Sequence, residues 1–143
     1  EDKRRATIHL LLSYVEEHYA EKLSLEDLAD YAQYNRTYVS TLFKQMVGIN
    51  FHEYLTRVRF QHALNDLTYT RDNLTDIALK NGFPDLKTLT ARFRSTFQRT
   101  PAQYRAALKP DEVLYDKVRQ FLDPQDMVLR KKLGEYAKTG IIK

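Results

Sequence analysis

The sequence predicts an all-α fold built from two similar helical modules. Apolar residues repeat with the period of amphipathic helices along most of the chain, and no sustained polar–apolar alternation indicates a strand. Residues that commonly cap helices precede these stretches. In addition, the second half of the chain repeats the pattern of the first. With only four glycines and four prolines in 143 residues, we expect long uninterrupted helices.

Composition excludes several classes of protein. The hydrophobic fraction of 43% is typical of a globular chain, and no apolar run approaches the roughly 20 residues of a membrane span. We therefore expect no membrane partner. The N-terminal stretch becomes charged again within a few residues, so no signal peptide is predicted. The absence of cysteine excludes disulfides and thiol nucleophiles and is compatible with a cytoplasmic location.

Periodicity and capping residues predict seven helices. The first runs from about Arg5 to Tyr19. Each of the next six follows a residue that commonly caps a helix: Ser24, Asn35, Asn50, Asn73, Asp85 and Thr100. In four cases the residue three positions later completes a predicted capping box: Asp27, Glu53, Asp76 and Gln103. The fourth helix, from about Phe51 to Leu67, is the longest and would span roughly 25 Å.

Two parts of the chain resemble each other at an offset of 49 or 50 residues. Leu28 precedes Ile77 by 49 residues, and Phe43 precedes Phe93 by 50. Each copy is a short helix, a turn and a longer basic helix, which is the arrangement of a helix-turn-helix whose second helix enters the DNA major groove. A protein-binding helical array is the alternative interpretation, although such arrays need about three copies.

Basic residues concentrate in the second helix of each copy. The net charge of +4 is by itself a weak indication of a polyanionic partner. Residues 35–47, however, contain Arg36 and Lys44 and no acid. Residues 86–99 contain four basic residues and no acid: Lys87, Arg92, Arg94 and Arg99. This segregation favours duplex DNA as the partner.

The chain resembles the DNA-binding domain of the AraC/XylS family of bacterial transcription regulators in three stretches: LSLEDLADYAQYNRTYVSTLFKQMVG, INFHEYLTRVRFQHALNDL and LTDIALKNGFPDLKTLTARFRSTFQRTPAQYR. The resemblance covers roughly residues 5–107, and within the family TLT at 88–90 looks closest to small stand-alone activators of stress and drug resistance. It implies seven helices in two subdomains, with two recognition helices in successive major grooves on one face of the DNA.

The repeat and the resemblance together divide the chain into four predicted segments. Residues 1–49 form a first helix-turn-helix subdomain, 50–68 a linker helix, and 69–108 a second helix-turn-helix subdomain. Residues 109–143 lie outside the resemblance and are predicted to form a two-helix C-terminal extension. Packing of this extension on the domain is the preferred interpretation, and a dimer contact is the alternative.

In the first recognition helix the resemblance places base contacts on Thr37, Ser40 and Thr41, and Arg36 beside them at the helix start is a further candidate. In the second recognition helix it places them on Leu86, Lys87, Thr90 and Ala91. Lys87 is the strongest candidate because its ammonium can donate to guanine O6 and N7. A solvated charge or a phosphate contact is the alternative for Arg36. Ala91 stands where the family often has an arginine, and Lys87 replaces a common small polar residue, so the target sequence cannot be inferred from relatives.

Four further basic residues are predicted to contact phosphates, which sets the register of binding without recognising sequence: Lys44, Arg57, Arg94 and Arg99. On the linker helix, Arg57 and Arg59 are two residues apart and point in different directions. The family pattern favours Arg59 as the member of a structural ion pair. Phe43, Phe93 and Phe97 continue apolar stripes and are predicted to be core residues.

The sequence carries no catalytic constellation, Gly-rich phosphate loop or metal-ligand spacing, so neither enzyme activity nor a cofactor or metal is expected. We expect a cytoplasmic, nucleoid-associated regulator that binds double-stranded DNA as a bipartite monomer and contacts RNA polymerase as an activator. A helical protein–protein interaction module without DNA binding is the alternative. A homodimer through a region outside this chain, or through the C-terminal extension, is left open.

Overall fold

The computed structural model describes residues 2–108, which form seven α-helices and no strand. The helices are α1 (Asp2–His18), α2 (Leu25–Ala32), α3 (Arg36–Val47), α4 (Phe51–Tyr69), α5 (Leu74–Lys80), α6 (Leu86–Phe97) and α7 (Pro101–Ala107). The all-α prediction is confirmed, although α1 begins at Asp2 rather than Arg5 and α4 continues past Leu67. The predicted extension over 109–143 lies outside the described residues.

The described chain up to Gln103 forms one compact unit. In its first half, α1, α2, α3 and the start of α4 enclose a core of side chains that includes Leu11, Val15, Leu28, Val39 and Phe43, all fully buried. The pairs Leu11–Val15 and Val39–Phe43 are four residues apart and therefore lie on one helix face. Burial of each such side chain stabilises the fold by roughly 1.5–3 kcal/mol.

A second core forms where α4, α5 and α6 meet. Ile77, Leu89 and Phe93 are fully buried, and the Phe60 ring of α4 lies 5.4 Å from the Phe93 ring. The prediction that Phe97 belongs to the core is wrong, because its side chain is 36% exposed. Phe97 is the last residue of α6, so its ring contacts Phe93 and Phe60 from the edge of the cluster.

Helix α4 contributes to both cores. Phe51 and Leu55, in its first turns, belong to the first core, whereas Phe60 packs on the second. Its 19 residues correspond to a length of about 28 Å. The helix predicted as a linker is therefore also a shared wall between the two modules. None of the described helices is long and apolar enough to cross a membrane.

Side-chain caps fix where the helices begin. Two of the four predicted capping boxes form in full, Ser24 with Asp27 and Thr100 with Gln103. Asn50 caps α4 through its own side chain, which accepts from the Glu53 amide at 2.8 Å.

The other two predicted boxes, Asn50 with Glu53 and Asn73 with Asp76, lack the bond from the backbone amide of the cap residue back to the carboxylate. For these two the prediction of a full capping box was wrong. The Glu53 carboxylate faces Arg57 and Arg92 instead of the Asn50 amide, because a charge-assisted bond to a guanidinium is stronger than one to a neutral amide. The Asp76 carboxylate accepts from the Asn73 side-chain amide at 2.9 Å rather than from the Asn73 backbone.

Candidate nucleic-acid interface

Helix α3 presents a polar face opposite its buried face. Val39, Leu42 and Phe43 point into the core. The residues predicted to contact DNA are all exposed: Arg36, Thr37, Ser40, Thr41 and Lys44. Four of these positions, from 37 to 44, follow the i, i+3, i+4, i+7 spacing of one helix face. The helix thus displays two Thr hydroxyls, one Ser hydroxyl and an ammonium on one side.

Helix α6 presents an equivalent face. Leu89 and Phe93 are buried, and Lys87, Ala91 and Arg94 are exposed. Leu86 and Thr90 are half-buried, so they are less accessible than the other candidates. Positions 87, 90, 91 and 94 lie 50 residues after positions 37, 40, 41 and 44. The two faces therefore occupy equivalent positions in the repeat.

The N-termini of both helices are fixed by side chains that accept hydrogen bonds from the first turn. Asn35 Oδ1 accepts from the Tyr38 amide at 2.8 Å, and Asp85 Oδ1 accepts from the Thr88 amide and the Thr88 hydroxyl, both at 2.7 Å. These bonds lower the pKa of the Asp85 carboxyl, first through the Thr88 hydroxyl. Lys87 therefore lies two residues after a carboxylate that is engaged in capping.

Arg36 lies near an acidic neighbour. Its Nη1 is 3.9 Å from Glu26 Oε1, and both side chains are about two-thirds exposed or more. Ion pairs in such surroundings contribute between about 0 and 1 kcal/mol. The pair therefore leaves the Arg36 guanidinium free to exchange Glu26 for another anion at low cost.

Arg92 does not belong to the exposed basic face of α6, contrary to the simple charge pattern of residues 86–99. Its Nη2 lies 2.8 Å from Glu53 Oε1, and its side chain is 28% exposed. The bond from Arg92 is the largest cause of the lowered pKa of the Glu53 carboxyl. Arg92 Nε is buried without a hydrogen-bond partner. The charge of Arg92 is thus directed toward α4, which the sequence did not reveal.

Arg57 shares the same carboxylate. Its Nε donates to Glu53 Oε1 at 3.2 Å, while the side chain remains 54% exposed. The Glu53 carboxylate therefore pairs with two arginines, the half-buried Arg92 of α6 and the exposed Arg57 of α4. The assignment of Arg57 to a phosphate contact stays a prediction.

Arg59 has a structural position, but it does not form the predicted ion pair. Its Nε donates to the Tyr19 carbonyl at 2.7 Å and its Nη2 donates to the Glu21 carbonyl at 2.8 Å. These carbonyls follow the end of α1, where a helix leaves backbone acceptors unpaired. Burial lowers the pKa of the Arg59 guanidinium. The family pattern marked Arg59 as structural, yet nothing in the sequence identified backbone carbonyls as its partners.

Two histidines form contacts that sequence reasoning missed. His62 Nε2 lies 2.6 Å from Glu16 Oε1, and His18 Nδ1 lies 2.6 Å from Glu21 Oε2. Each histidine thus has one acidic partner rather than a set of ligands. Within residues 2–108, no group of three His, Asp or Glu side chains could hold a metal ion.

A family profile described as a helix-turn-helix domain matches residues 28–107, which include α3 and α6. The chain is also 38% identical over 98 residues to an uncharacterised HTH-type transcriptional regulator of Staphylococcus aureus (strain COL). This alignment covers 68% of the chain but 13% of the relative, so the chain spans only a small part of that protein's length.

Solved structures define the type of domain. A transcriptional regulator from Chromobacterium violaceum, described among AraC-type DNA-binding domain-containing proteins, matches with a TM-score of 0.67 and 27% identity over 74% of this chain and 95% of the other. The chain belongs to the AraC-type helix-turn-helix family. This AraC-type fold is that of DNA-binding domains of transcription regulators, not of enzymes.

A second solved structure in this AraC-type group was determined with DNA. The DNA-binding domain of AdpA, a global transcriptional factor, in complex with a target DNA, matches with a TM-score of 0.66 and 26% identity. The match covers 69% of this chain and 89% of the other. The predicted family and the predicted seven-helix double helix-turn-helix fold are therefore confirmed.

Proposed function

We propose that this AraC-type domain binds double-stranded DNA sequence-specifically, with α3 and α6 in successive major grooves on one face. The observation that carries the proposal is the pair of equivalent exposed faces, at 37–44 and 87–94, on helices whose opposite sides are buried. A helix fits the major groove, and hydroxyl, ammonium and methyl groups can all contact base edges there. Helix α4, about 28 Å long, is comparable to the 34 Å between adjacent major grooves on one face.

The two modules carry different chemistry toward the bases. In α3, Thr37, Ser40 and Thr41 offer hydroxyls and methyls, which discriminate weakly between base pairs. In α6, Lys87 offers a strong donor to guanine, whereas Ala91 offers only a methyl group that suits thymine. We infer that α6 provides the anchor of the complex and that α3 adjusts its sequence preference.

Phosphate contacts complete the proposed interface. Lys44 and Arg94 occupy the same position in the two recognition helices, one turn beyond the base-contacting residues. Arg99 follows α6, and Arg57 extends from α4 beside Glu53. Such contacts supply affinity and register, and they make the affinity dependent on salt.

The biological role that we propose is regulation of bacterial transcription in the cytoplasm, at the nucleoid, by an activator that contacts RNA polymerase. The family supports regulation of transcription, and the activating role rests on the resemblance of the TLT segment to stand-alone activators. Dimerisation through the C-terminal extension, or through a region outside this chain, is a separate proposal. Sedimentation of the DNA complex distinguishes one bound copy from two.

Selection of duplexes from a random pool tests the proposed binding mode. The 143-residue chain is incubated with the pool at low salt, and the bound duplexes are sequenced. We expect two conserved half-sites with centres about 10–10.5 base pairs apart. Lys22→Ala is a suitable control, because Lys22 is exposed in the α1–α2 connection and lies outside both recognition faces. Absence of duplex binding at low salt would overturn the proposal and favour a protein-interaction module.

A further inference from the structure

Three segments of the chain meet at the Arg59 side chain. Arg59 extends from the middle of α4, and its guanidinium holds the Tyr19 and Glu21 carbonyls at 2.7 and 2.8 Å. These carbonyls belong to the segment that leaves α1, and α1 is part of the first core. A planar guanidinium that donates to two carbonyls at once has a fixed orientation. This contact therefore locks α4 against the first module.

The third segment is the turn between α5 and α6, where Gly82 has φ +91°. A Cβ at this position would lie 2.5 Å from Arg59 Nε and 2.7 Å from the Tyr19 carbonyl oxygen. The turn thus passes directly over the Arg59–Tyr19 hydrogen bond, at a distance that only glycine permits. The turn leads directly into α6, so this contact connects the start of the second recognition helix to α4 and to the end of α1.

Neighbouring contacts hold the same three segments together. The Tyr19 ring stacks on the His62 ring of α4, with centroids 4.0 Å apart. The buried Asn81, beside Gly82, donates through Nδ2 to Asp66 of α4 at 2.8 Å and to the Ile77 carbonyl at 2.8 Å. We call the set Tyr19, Arg59, His62, Asn81 and Gly82 the junction.

Resting on the DNA-binding mode proposed above, we propose that the junction sets the distance and the rotational phase between the two recognition helices, and hence the selectivity for half-site spacing. Its residues belong to none of the positions proposed to contact DNA, so they act by positioning. A change of one base pair rotates a half-site by about 35° and moves it by about 3.4 Å. Two helices held in a fixed relation cannot follow such a change without losing contacts.

Gly82→Ala tests the proposal, and Gly48→Ala is its matched control. Gly48 also has a positive φ, of +92°, and a Cβ there would meet nothing within 4 Å. Both substitutions place a Cβ at a similar positive φ, while only Gly82→Ala pushes against the Arg59–Tyr19 bond. The full 143-residue chain is titrated with four duplexes. Three contain both half-sites, at the selected spacing and at spacings one base pair shorter and one base pair longer. The fourth has one half-site scrambled.

We expect the wild-type chain to lose at least about tenfold in affinity when the spacing changes by one base pair, since comparable losses follow from single mismatches. Gly82→Ala should reduce this difference below about threefold, with its binding to a single half-site unchanged. Gly48→Ala should keep the wild-type spacing profile. Arg59→Lys adds no bulk but cannot donate to the Tyr19 and Glu21 carbonyls in the same fixed geometry, so it should show the same spacing profile as Gly82→Ala. It replaces Gly82→Ala if the alanine variant does not fold.

Two outcomes separate this proposal from the binding mode on which it rests. If the wild-type chain binds no duplex, the proposed function is wrong. If it binds but is indifferent to spacing, or if folded Gly82→Ala and Arg59→Lys keep the wild-type spacing profile, the junction does not set the spacing and only this inference is overturned.

Discussion

At the scale of single residues, the role of each basic side chain depends on which acid or carbonyl faces it. Arg92 is directed inward by Glu53, and Arg59 is held by backbone carbonyls. Lys87 and Arg94 lie on the same helix as Arg92 but on its exposed side. These four side chains carry the same charge, yet Arg59 and Arg92 are structural whereas Lys87 and Arg94 lie on the surface.

We expect Lys87 to contribute affinity that depends on the DNA sequence and Arg94 to contribute affinity that does not. Lys87→Ala should cost about 1–3 kcal/mol on the selected duplex and relax the preference at one base pair, because a donor to guanine is lost. Arg94→Ala should weaken binding to all duplexes alike, because a phosphate contact carries no sequence information. Competition titrations with matched single-base variants measure both effects. An equal loss on every duplex after Lys87→Ala would show that Lys87 does not contact a base.

Glu53 is expected to make stability depend on acid pH. Its pKa is lowered in the folded chain, first by the bond from Arg92, so its contribution is present above the unfolded pKa of about 4.3 and is lost as the pH falls through the folded pKa. The difference in free energy of unfolding between wild type and Glu53→Gln should therefore be largest near neutral pH and shrink below about pH 4.

Urea unfolding between pH 3 and pH 7 measures this difference, and Glu17→Gln on the exposed side of α1 is the control. Asp27 and Asp85 also have lowered pKa values, but their contribution cancels because it is common to both proteins. A gap between wild type and Glu53→Gln that is constant across this range would contradict the ion-pair assignment.

At the scale of helices, the starts of α3 and α6 depend on their caps. Asp85 accepts two bonds from Thr88 at the start of α6. Asp85→Ala should lower the free energy of unfolding by about 0.5–2 kcal/mol, whereas Asp85→Asn, which keeps an acceptor, should lose little. Chemical denaturation of the three proteins at neutral pH tests this expectation. Equal losses for alanine and asparagine would mean that the charge, rather than the hydrogen bond, stabilises α6.

The helices were predictable from sequence because their information is local. Ser24, Asn35 and Asp85 stand directly before apolar helical stretches, and the structure uses each of them as a cap. The repeat at an offset of 50 residues likewise predicted two equivalent polar faces, and the structure exposes most of their residues. These features depend on residues within one or two turns of each other, which a single sequence displays.

Contacts between distant segments were not predictable. Glu53 was expected to cap its own helix, but it meets Arg92 from 39 positions later in the chain. Arg59 was expected to pair with an acid, but it binds the carbonyls of Tyr19 and Glu21, and main-chain acceptors leave no trace in side-chain patterns. Phe97 continues an apolar stripe that ends at the edge of the core, and periodicity does not report where a core ends.

At the scale of the whole molecule, the two modules share α4 and the junction, so we expect the domain to bind DNA as one unit. With the four proposed phosphate contacts, the logarithm of the affinity should fall with the logarithm of salt concentration with a slope of about −3.6, or −0.9 per neutralised phosphate. Arg94→Ala should reduce the steepness by about 0.9.

Fluorescence anisotropy between 50 and 300 mM salt, with the selected duplex, measures these slopes. Lys22→Ala should leave the slope unchanged, because Lys22 is outside the proposed interface. A wild-type slope near zero would exclude a phosphate-dominated complex. A change with Lys22→Ala equal to that with Arg94→Ala would show that overall charge, and not the assigned contacts, governs the affinity.

We expect the 19-residue helix α4 to affect the lifetime of a complex with DNA as well. When one module releases its groove, α4 and the junction keep it beside the vacated half-site, because they hold the two modules in a fixed relation. Rebinding then competes with full dissociation. Two modules joined in this way, one of them carrying mainly hydroxyl groups, should form a complex whose residence time exceeds that of either module alone.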